Sequence, residues 1–306
     1  MLSVIIPVYN EEKQIEKTIN EVKNTVSPLG ESYEIVVIDD GSVDKTWDVL
    51  KELANKNPEI SAFRFSRNFG KEAAIMAGLS NAKGDACITM DADLQHPPGL
   101  IPEMTKLWRE GFEVVEAVKR DRGKETSLSR FSASMFYKIM HRLSGFNLEN
   151  ASDYKLLDKK VVQEIIRMPE RETFFRGLTA WVGYKRTEVY FSVPERETGK
   201  SGWSKWKLFR LAITAFTSFS SLPLQFVTFI GVLFLIGSII LGIQTLIMKL
   251  KGWAIGGFTT VILLLLIIGS CLMISLGLIG IYIARIYNEV KSRPRYIISE
   301  KYGKDK

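Results

Sequence analysis

Cysteine is almost missing from this chain: Cys87 and Cys271 are the only two among 306 residues. Each sits inside an apolar run, so they read as inert packing residues in a reduced compartment, and a disulfide framework is excluded. Histidine is as scarce, with His96 read as a turn residue and His141 as a surface or helix-packing residue. No basic region precedes the first apolar run, Leu2-Ser3-Val4-Ile5-Ile6, so no secretory signal is read and the first part of the chain is expected in the cytosol. Internal repeats and low-complexity segments are absent too. Charge is missing from two stretches, about 224–248 and 257–284. Each exceeds the roughly 20 apolar residues that a bilayer crossing needs, which predicts two transmembrane helices.

The charge that is present is unevenly placed. The net charge of +7 gathers around those stretches, with Lys200, Lys205, Lys207 and Arg210 before the first and Arg285, Lys291, Arg293 and Arg295 after the second. The loop between them holds only Lys249 and Lys251. By the positive-inside rule both ends face the cytosol. An anionic membrane face and phosphate groups account for this basic excess, and nucleic acid is not an expected partner. From Trp203, aromatic and basic residues alternate at helical spacing (Trp203, Lys205, Trp206, Arg210), as in an interfacial helix, which Pro223 ends. The expected organisation is a cytosolic catalytic domain over 1–202, an amphipathic interfacial helix over 203–222, two transmembrane helices within 223–284 and a cytosolic tail over 285–306.

The first half alternates short apolar runs with amphipathic stretches, the pattern of an α/β domain with a parallel sheet. Strands are predicted at Leu2–Val8, Tyr33–Ile38, Ile60–Phe65, Ala86–Met90 and Glu113–Ala117. Helices are predicted at about Glu11–Val26, Lys45–Asn55, Lys71–Ala82 and Leu100–Arg109, with Asn10 and Ser42 capping the first two. Trp181 is read as a core residue.

Acidic residues follow these strands at their carboxyl ends, where open α/β sheets collect ligands. Met90-Asp91-Ala92-Asp93-Leu94-Gln95-His96-Pro97 directly follows an apolar run, and two carboxylates one residue apart can supply oxygen ligands to Mg²⁺ or Mn²⁺. Asp39-Asp40-Gly41-Ser42 ends Ile35-Val36-Val37-Ile38, where a carboxylate can accept from a base N–H or a ribose hydroxyl. Pro7-Val8-Tyr9-Asn10-Glu11 ends the first strand in the same way. Three such signals on one sheet edge make a site.

With Ser66-Arg67-Asn68-Phe69-Gly70-Lys71-Glu72-Ala73-Ala74 added, these segments resemble the GT-A fold glycosyltransferases of family 2. Within that family, the similarity is to polyprenyl-phosphate glycosyltransferases related to dolichol-phosphate mannose synthase and bactoprenol glucosyltransferase. The resemblance implies a GT-A domain followed by interfacial helices and a transmembrane hairpin. It also implies metal-dependent, inverting transfer of a sugar from a nucleotide diphosphate sugar, UDP-glucose or a related UDP-sugar, to undecaprenyl phosphate. A GDP-mannose donor is the alternative, as is a non-catalytic membrane partner of a flippase. Pro7, Tyr9, Glu11, Ile38, Asp40, Asp91, Ala92 and Asp93 would bind the nucleotide-sugar. Asp91, Asp93 and Gln95 would hold Mg²⁺ or Mn²⁺, and Asp153 with Asp93 would be catalytic. Lys119, Arg120, Arg122, Arg130, Arg196, Lys200, Ser201 and Lys205 would meet phosphate, although Lys119 stands where the family often has Arg. The implied setting is the bacterial plasma membrane with the catalytic domain cytosolic, in a homo-oligomer whose partners include a flippase and a downstream glycosyltransferase. A processive polysaccharide synthase is disfavoured because no Gln-x-x-Arg-Trp segment occurs.

Overall fold

The computed structural model describes residues 1–119, 152–170, 173–191, 222–251 and 257–303. Two compact units divide the chain, one of residues 1–201 with 293–306 and the other of residues 202–292.

The first unit is built on an eight-stranded sheet in the order β7-β5-β6-β4-β1-β2-β3-β8. Its centre is parallel: β1 (Leu2–Val8) lies between β2 (Tyr33–Asp39) and β4 (Ala86–Thr89), with β3 (Ile60–Phe65) beyond β2. Strands β1, β2 and β4 are buried on both faces over most of their length, which is why they read as near-continuous apolar runs. Alternation then divides them. Leu2, Val4, Ile6 and Val8 join Ile35 and Val37 in one apolar layer, under helices α1 (Ile15–Val26), α2 (Thr46–Lys56) and α4 (Ile101–Arg109). Ile5, Val36 and Ile38 join the opposite layer, with α3 (Lys71–Asn81). Helix α3 rides close to the sheet at Gly78, where an added Cβ would stand 2.2 Å from Ile5 Cγ2.

The sheet is mixed, where alternation alone predicts a parallel one. Strand β6 (Lys155–Asp158) is antiparallel to both β4 and β5 (Val114–Lys119), and β7 (Arg186–Phe191) runs parallel to β5. A lysine opens β6, which disguises a buried strand. Lys155 is 2% exposed, pairs with Glu116 at 3.0 Å and donates to Thr179 Oγ1 at 2.9 Å. At the far edge β8 (Ile298–Tyr302) is antiparallel to β3, so the expected free tail is in part a strand of this sheet.

Two helix starts differ from expectation. Helix α1 begins at Ile15, and Asn10, at φ +56°, accepts the Val43 N–H instead of capping it. Ser42 accepts from the Asn10 N–H, while Asp44 takes the Thr46 N–H that opens α2. Two further helices, α5 (Lys159–Arg167) and α6 (Phe175–Trp181), follow β6. Trp181 is 63% exposed and not core, because the buried face of α6 is set by Phe175, Leu178 and Thr179 and the next position on that face is Val182.

The second unit contains α7 (Leu222–Leu250) and α8 (Phe258–Val290), which take up both uncharged stretches apart from Gly257. Large apolar side chains such as Phe229, Ile240, Leu272 and Ile274 face outward. Among the described residues one segment, Ile267–Val290, is long and apolar enough to cross a membrane, and Phe229–Gln244 is a shorter apolar stretch. The predicted interfacial helix over 203–222 lies outside the described residues except for Leu222, as does His141. Cys87 is buried in β4, where desolvation pushes its thiol up to about 12, and Cys271 is a free thiol in α8.

Candidate active site

Because β1, β2 and β4 are parallel, their carboxyl ends open on the same edge. A cavity of about 370 Å³ lies there, lined by Pro7, Tyr9, Glu11, Asp40, Asp91, Ala92 and Asp93, together with Asn68, Gly70 and Lys71 from the loop after β3 and the start of α3. Of the predicted nucleotide-sugar residues only Ile38 lies elsewhere. Its side chain is fully buried in the α3 layer, inside β2 and two residues before Asp40.

Asp40 organises the loop after β3. Its carboxylate accepts from the N–H groups of Phe69 (2.6 Å) and Gly70 (2.9 Å), which draws that loop against the end of β2. Burial raises its pKa against those two hydrogen bonds. The approach is possible because residue 41 is glycine. At φ +71°, a Cβ there would stand 2.6 Å from the Arg67 carbonyl carbon.

The Asp91–Asp93 segment is pinned from two sides. Thr18 Oγ1 of α1 donates to the Ala92 carbonyl at 2.6 Å, and the Asp91 N–H donates to His96 Nδ1 at 3.2 Å. His96 is buried and stacks on Tyr154. Asp91 pairs with Lys71 at 2.5 Å. Asp93 faces Glu11, whose pKa is raised by burial and then by the Asp93 and Asp44 charges. The Gln95 N–H donates to Asp93 Oδ1 at 3.1 Å, but Gln95 does not line the cavity. Among the described residues, no group of three or more His, Cys, Asp or Glu is placed to hold a metal ion by itself.

Asp153 lies next to this cavity in a network of its own. Arg176 of α6 donates to it twice, at 2.7 and 3.0 Å, and Lys71 Nζ reaches it at 2.7 Å. Lys71 therefore bridges Asp91 and Asp153. Burial acts to raise the Asp153 pKa, but Arg176 and Lys71 outweigh it and hold the carboxyl well below the usual carboxylate range. Partial desolvation likewise acts to lower Lys71, and the two carboxylates outweigh it, keeping the ammonium charged. Beside them Glu72 accepts the Phe175 N–H at 2.8 Å, and burial, with the Asp153 charge second, pushes its carboxyl up to about 7.

Three polar participants carry no predicted role. Lys71 and Glu72 stand inside a segment that marks the resemblance, whereas Arg176 has no sequence signal beyond its charge. Of the predicted phosphate residues, Lys119 closes β5, and Arg120, Arg122, Arg130, Arg196, Lys200, Ser201 and Lys205 lie outside the described residues.

Residues 3–166 match the model of the family described as Glycosyl transferase family 2. The chain belongs to that family. The transferase is 40% identical over 305 residues to an uncharacterized glycosyltransferase of Synechocystis sp. (strain ATCC 27184 / PCC 6803 / Kazusa), covering 99% of this chain and 96% of that one. It is 38% identical over 306 residues to the SfII prophage-derived bactoprenol glucosyl transferase of Shigella flexneri, covering 98% of each. It is 39% identical over 305 residues to the prophage bactoprenol glucosyl transferase homolog of Escherichia coli (strain K12), covering 97% of this chain and 98% of that one. These matches run through the apolar helices as well as the sheet.

Proposed function

We propose that this glycosyltransferase moves a hexose from a nucleotide diphosphate sugar onto the phosphate of a polyprenyl lipid such as undecaprenyl phosphate. UDP-glucose is the first candidate donor and GDP-mannose the second. The observation that carries the reading is the cavity in which Glu11, Asp40, Asp91, Asp93 and Lys71 converge at the ends of three parallel strands. The lipid acceptor is supported by relatives named bactoprenol glucosyl transferase that match along 97% or more of both chains. In this reading residues 1–202 form a GT-A catalytic domain on the cytosolic face of a bacterial plasma membrane, 203–222 lie at the interface, and 223–284 cross the bilayer twice.

The donor set fits magnesium or manganese. It is all oxygen, and the Glu11–Asp93 repulsion marks negative charge that the cavity does not neutralise internally. With one Asp91 oxygen committed to Lys71, Asp93 would be the principal ligand and Gln95 an accessory one, leaving positions for diphosphate oxygens and water. When bound, such an ion offsets charge that builds on the leaving diphosphate.

The chain's own groups do the positioning. Asp40 holds the loop after β3 against the nucleotide wall, and Lys71 keeps a positive charge between Asp91 and Asp153. The nucleophile is a phosphate oxygen whose second ionisation lies near a pKa of about 6, so it attacks without surrendering a proton to the protein. Asp153, ionised and paired with two cations, then orients Arg176 and Lys71 and is not a proton acceptor. In-line attack inverts the anomeric centre.

The test is transfer of radiolabelled sugar from a panel of UDP- and GDP-sugars to undecaprenyl phosphate in detergent, with and without Mg²⁺ or Mn²⁺, for wild type and Asp93→Ala. Metal-dependent label in the lipid phase, lost in Asp93→Ala, is the expected result. No transfer from any donor by folded protein refutes the proposal.

A further inference from the structure

Strand β8 places Glu300 directly across from Arg64, at the point where the β3–β8 register shifts. Both Glu300 oxygens are used. Oε2 accepts the Trp47 indole N–H at 3.1 Å, and Oε1 pairs with Arg64 Nη1 at 3.2 Å. Trp47 is itself buried and packs edge-on against Tyr302, so the Glu300 carboxylate is anchored from below.

Arg64 carries this contact inward. Its Nη2 donates to the Ser42 carbonyl at 3.1 Å, and its Nε faces Asp39 Oδ2 at 3.4 Å. That oxygen is buried with no hydrogen-bond donor, which leaves the guanidinium to compensate its charge. Ser42 ties the next two links: its N–H donates to Asp39 Oδ1 at 3.0 Å, and its Oγ accepts the Asn10 N–H at 2.9 Å. The loops after β1 and β2, which present Tyr9, Glu11 and Asp40 to the donor cavity, are thus laced together with Arg64 on their outer side. Arg64 and Ser299 also line a second cavity of about 560 Å³ that shares Tyr9 and Asn68 with the first.

We propose that Glu300 is a positioning residue of the donor site: it fixes Arg64, and through Arg64 the loops that bind the nucleotide, so the C-terminal strand is part of the nucleotide-binding apparatus. The inference rests on reading the first cavity as the nucleotide-sugar site. Simple edge protection would require only the backbone ladder of β8. It would not require an anchored carboxylate whose partner reaches the loops.

The full chain in detergent separates the two. Binding of UDP and GDP in the presence of Mn²⁺ is measured by calorimetry for wild type, Glu300→Gln, Glu300→Ala, Arg64→Ala and the double alanine variant, with hydrogen exchange over residues 298–302 reporting strand pairing. Glu300→Ala is expected to weaken nucleotide binding and raise the donor KM about tenfold, the scale of one charge-assisted hydrogen bond, with kcat changed less than about twofold. The double variant is expected to bind no more weakly than Arg64→Ala alone, because one residue acts through the other. Unchanged nucleotide affinity in Glu300→Ala with β8 still protected, or losses that simply add, overturns the inference. If Glu300→Ala unpairs the strand, the near-isosteric Glu300→Gln decides by the same two criteria. A wild type that binds neither nucleotide refutes the reading of the cavity itself, a failure distinct from that of Glu300.

Discussion

Glu72 should make the stability of the sheet-bearing unit fall as pH rises through neutrality. Its carboxyl titrates at about 7 in the fold against 4.5 as an ordinary glutamate, with burial the main cause and the Asp153 charge the second. Between those values the folded chain holds a proton that the unfolded chain has released, so raising the pH favours unfolding. The full shift corresponds to about 3 kcal/mol at about 1.4 kcal/mol per pKa unit. Most of it, about 2 to 3 kcal/mol, falls between about pH 5 and about pH 8, and the loss levels off above the folded value. For a domain of this size that amounts to a fall in melting temperature of about 5 to 10 °C. The assay is a fluorescence melt of the full chain in detergent at four pH values, for wild type and Glu72→Gln. Glutamine keeps an oxygen for the Phe175 N–H and removes the titration, so its curve subtracts every other ionising group. The difference between the two should grow from about pH 5 to about pH 8 and then level off, with Glu72→Gln the more stable at the alkaline end. Parallel curves would refute the reasoning, for they would mean that Glu72 ionises in the fold as readily as in water.

Other outcomes follow from the same geometry. Asp153→Asn should cost about 2 kcal/mol of stability, since it loses charge-assisted hydrogen bonds to partners that are themselves partly hydrated, and a denaturant titration would measure it. Because Asp153 is held ionised far below neutrality, its contribution to wild-type stability is constant over the neutral range and is lost progressively as pH falls below the ordinary carboxyl value of 3.8; the wild-type rate profile between about pH 5 and about pH 8 should carry no Asp153 ionisation. Lys71→Met should lower sugar transfer at least about tenfold and move the Glu72 midpoint upward, because the ammonium that now favours the Glu72 carboxylate is gone. Gly41→Ala should destabilise by at least about 2 kcal/mol, from its left-handed backbone and the contact with Arg67, with nucleotide affinity falling in parallel.

The parallel centre of the sheet was legible because strands buried on both faces are apolar almost throughout, as β1 is, and β1 and β3 occur at their predicted residues. The acidic rim was legible for the same reason: hydrophilic residues at the end of such a run have to emerge at the sheet edge. Ile38 does not line the cavity because it stands inside β2, two residues short of the strand-end Asp40, with its side chain packed in the α3 layer. Strand β6 was hidden by Lys155, whose buried pairing with Glu116 depends on a strand 36 residues or more away in sequence. Arg176 was invisible, since nothing near it in sequence announces that α6 packs beside Asp153. Strand β8 alternates plainly enough, yet its position behind two apolar helices made it read as a tail.

That last strand also fixes an order of assembly. The ribosome releases β3 early and β8 only after both apolar helices, so until β8 emerges the sheet has one edge unpaired. An open edge is a template for pairing with other chains, and this one is closed by a strand that lies beyond both apolar helices in the chain. A chain truncated just after its second apolar helix would therefore keep every acidic residue of the site and still lack the strand that closes this sheet edge.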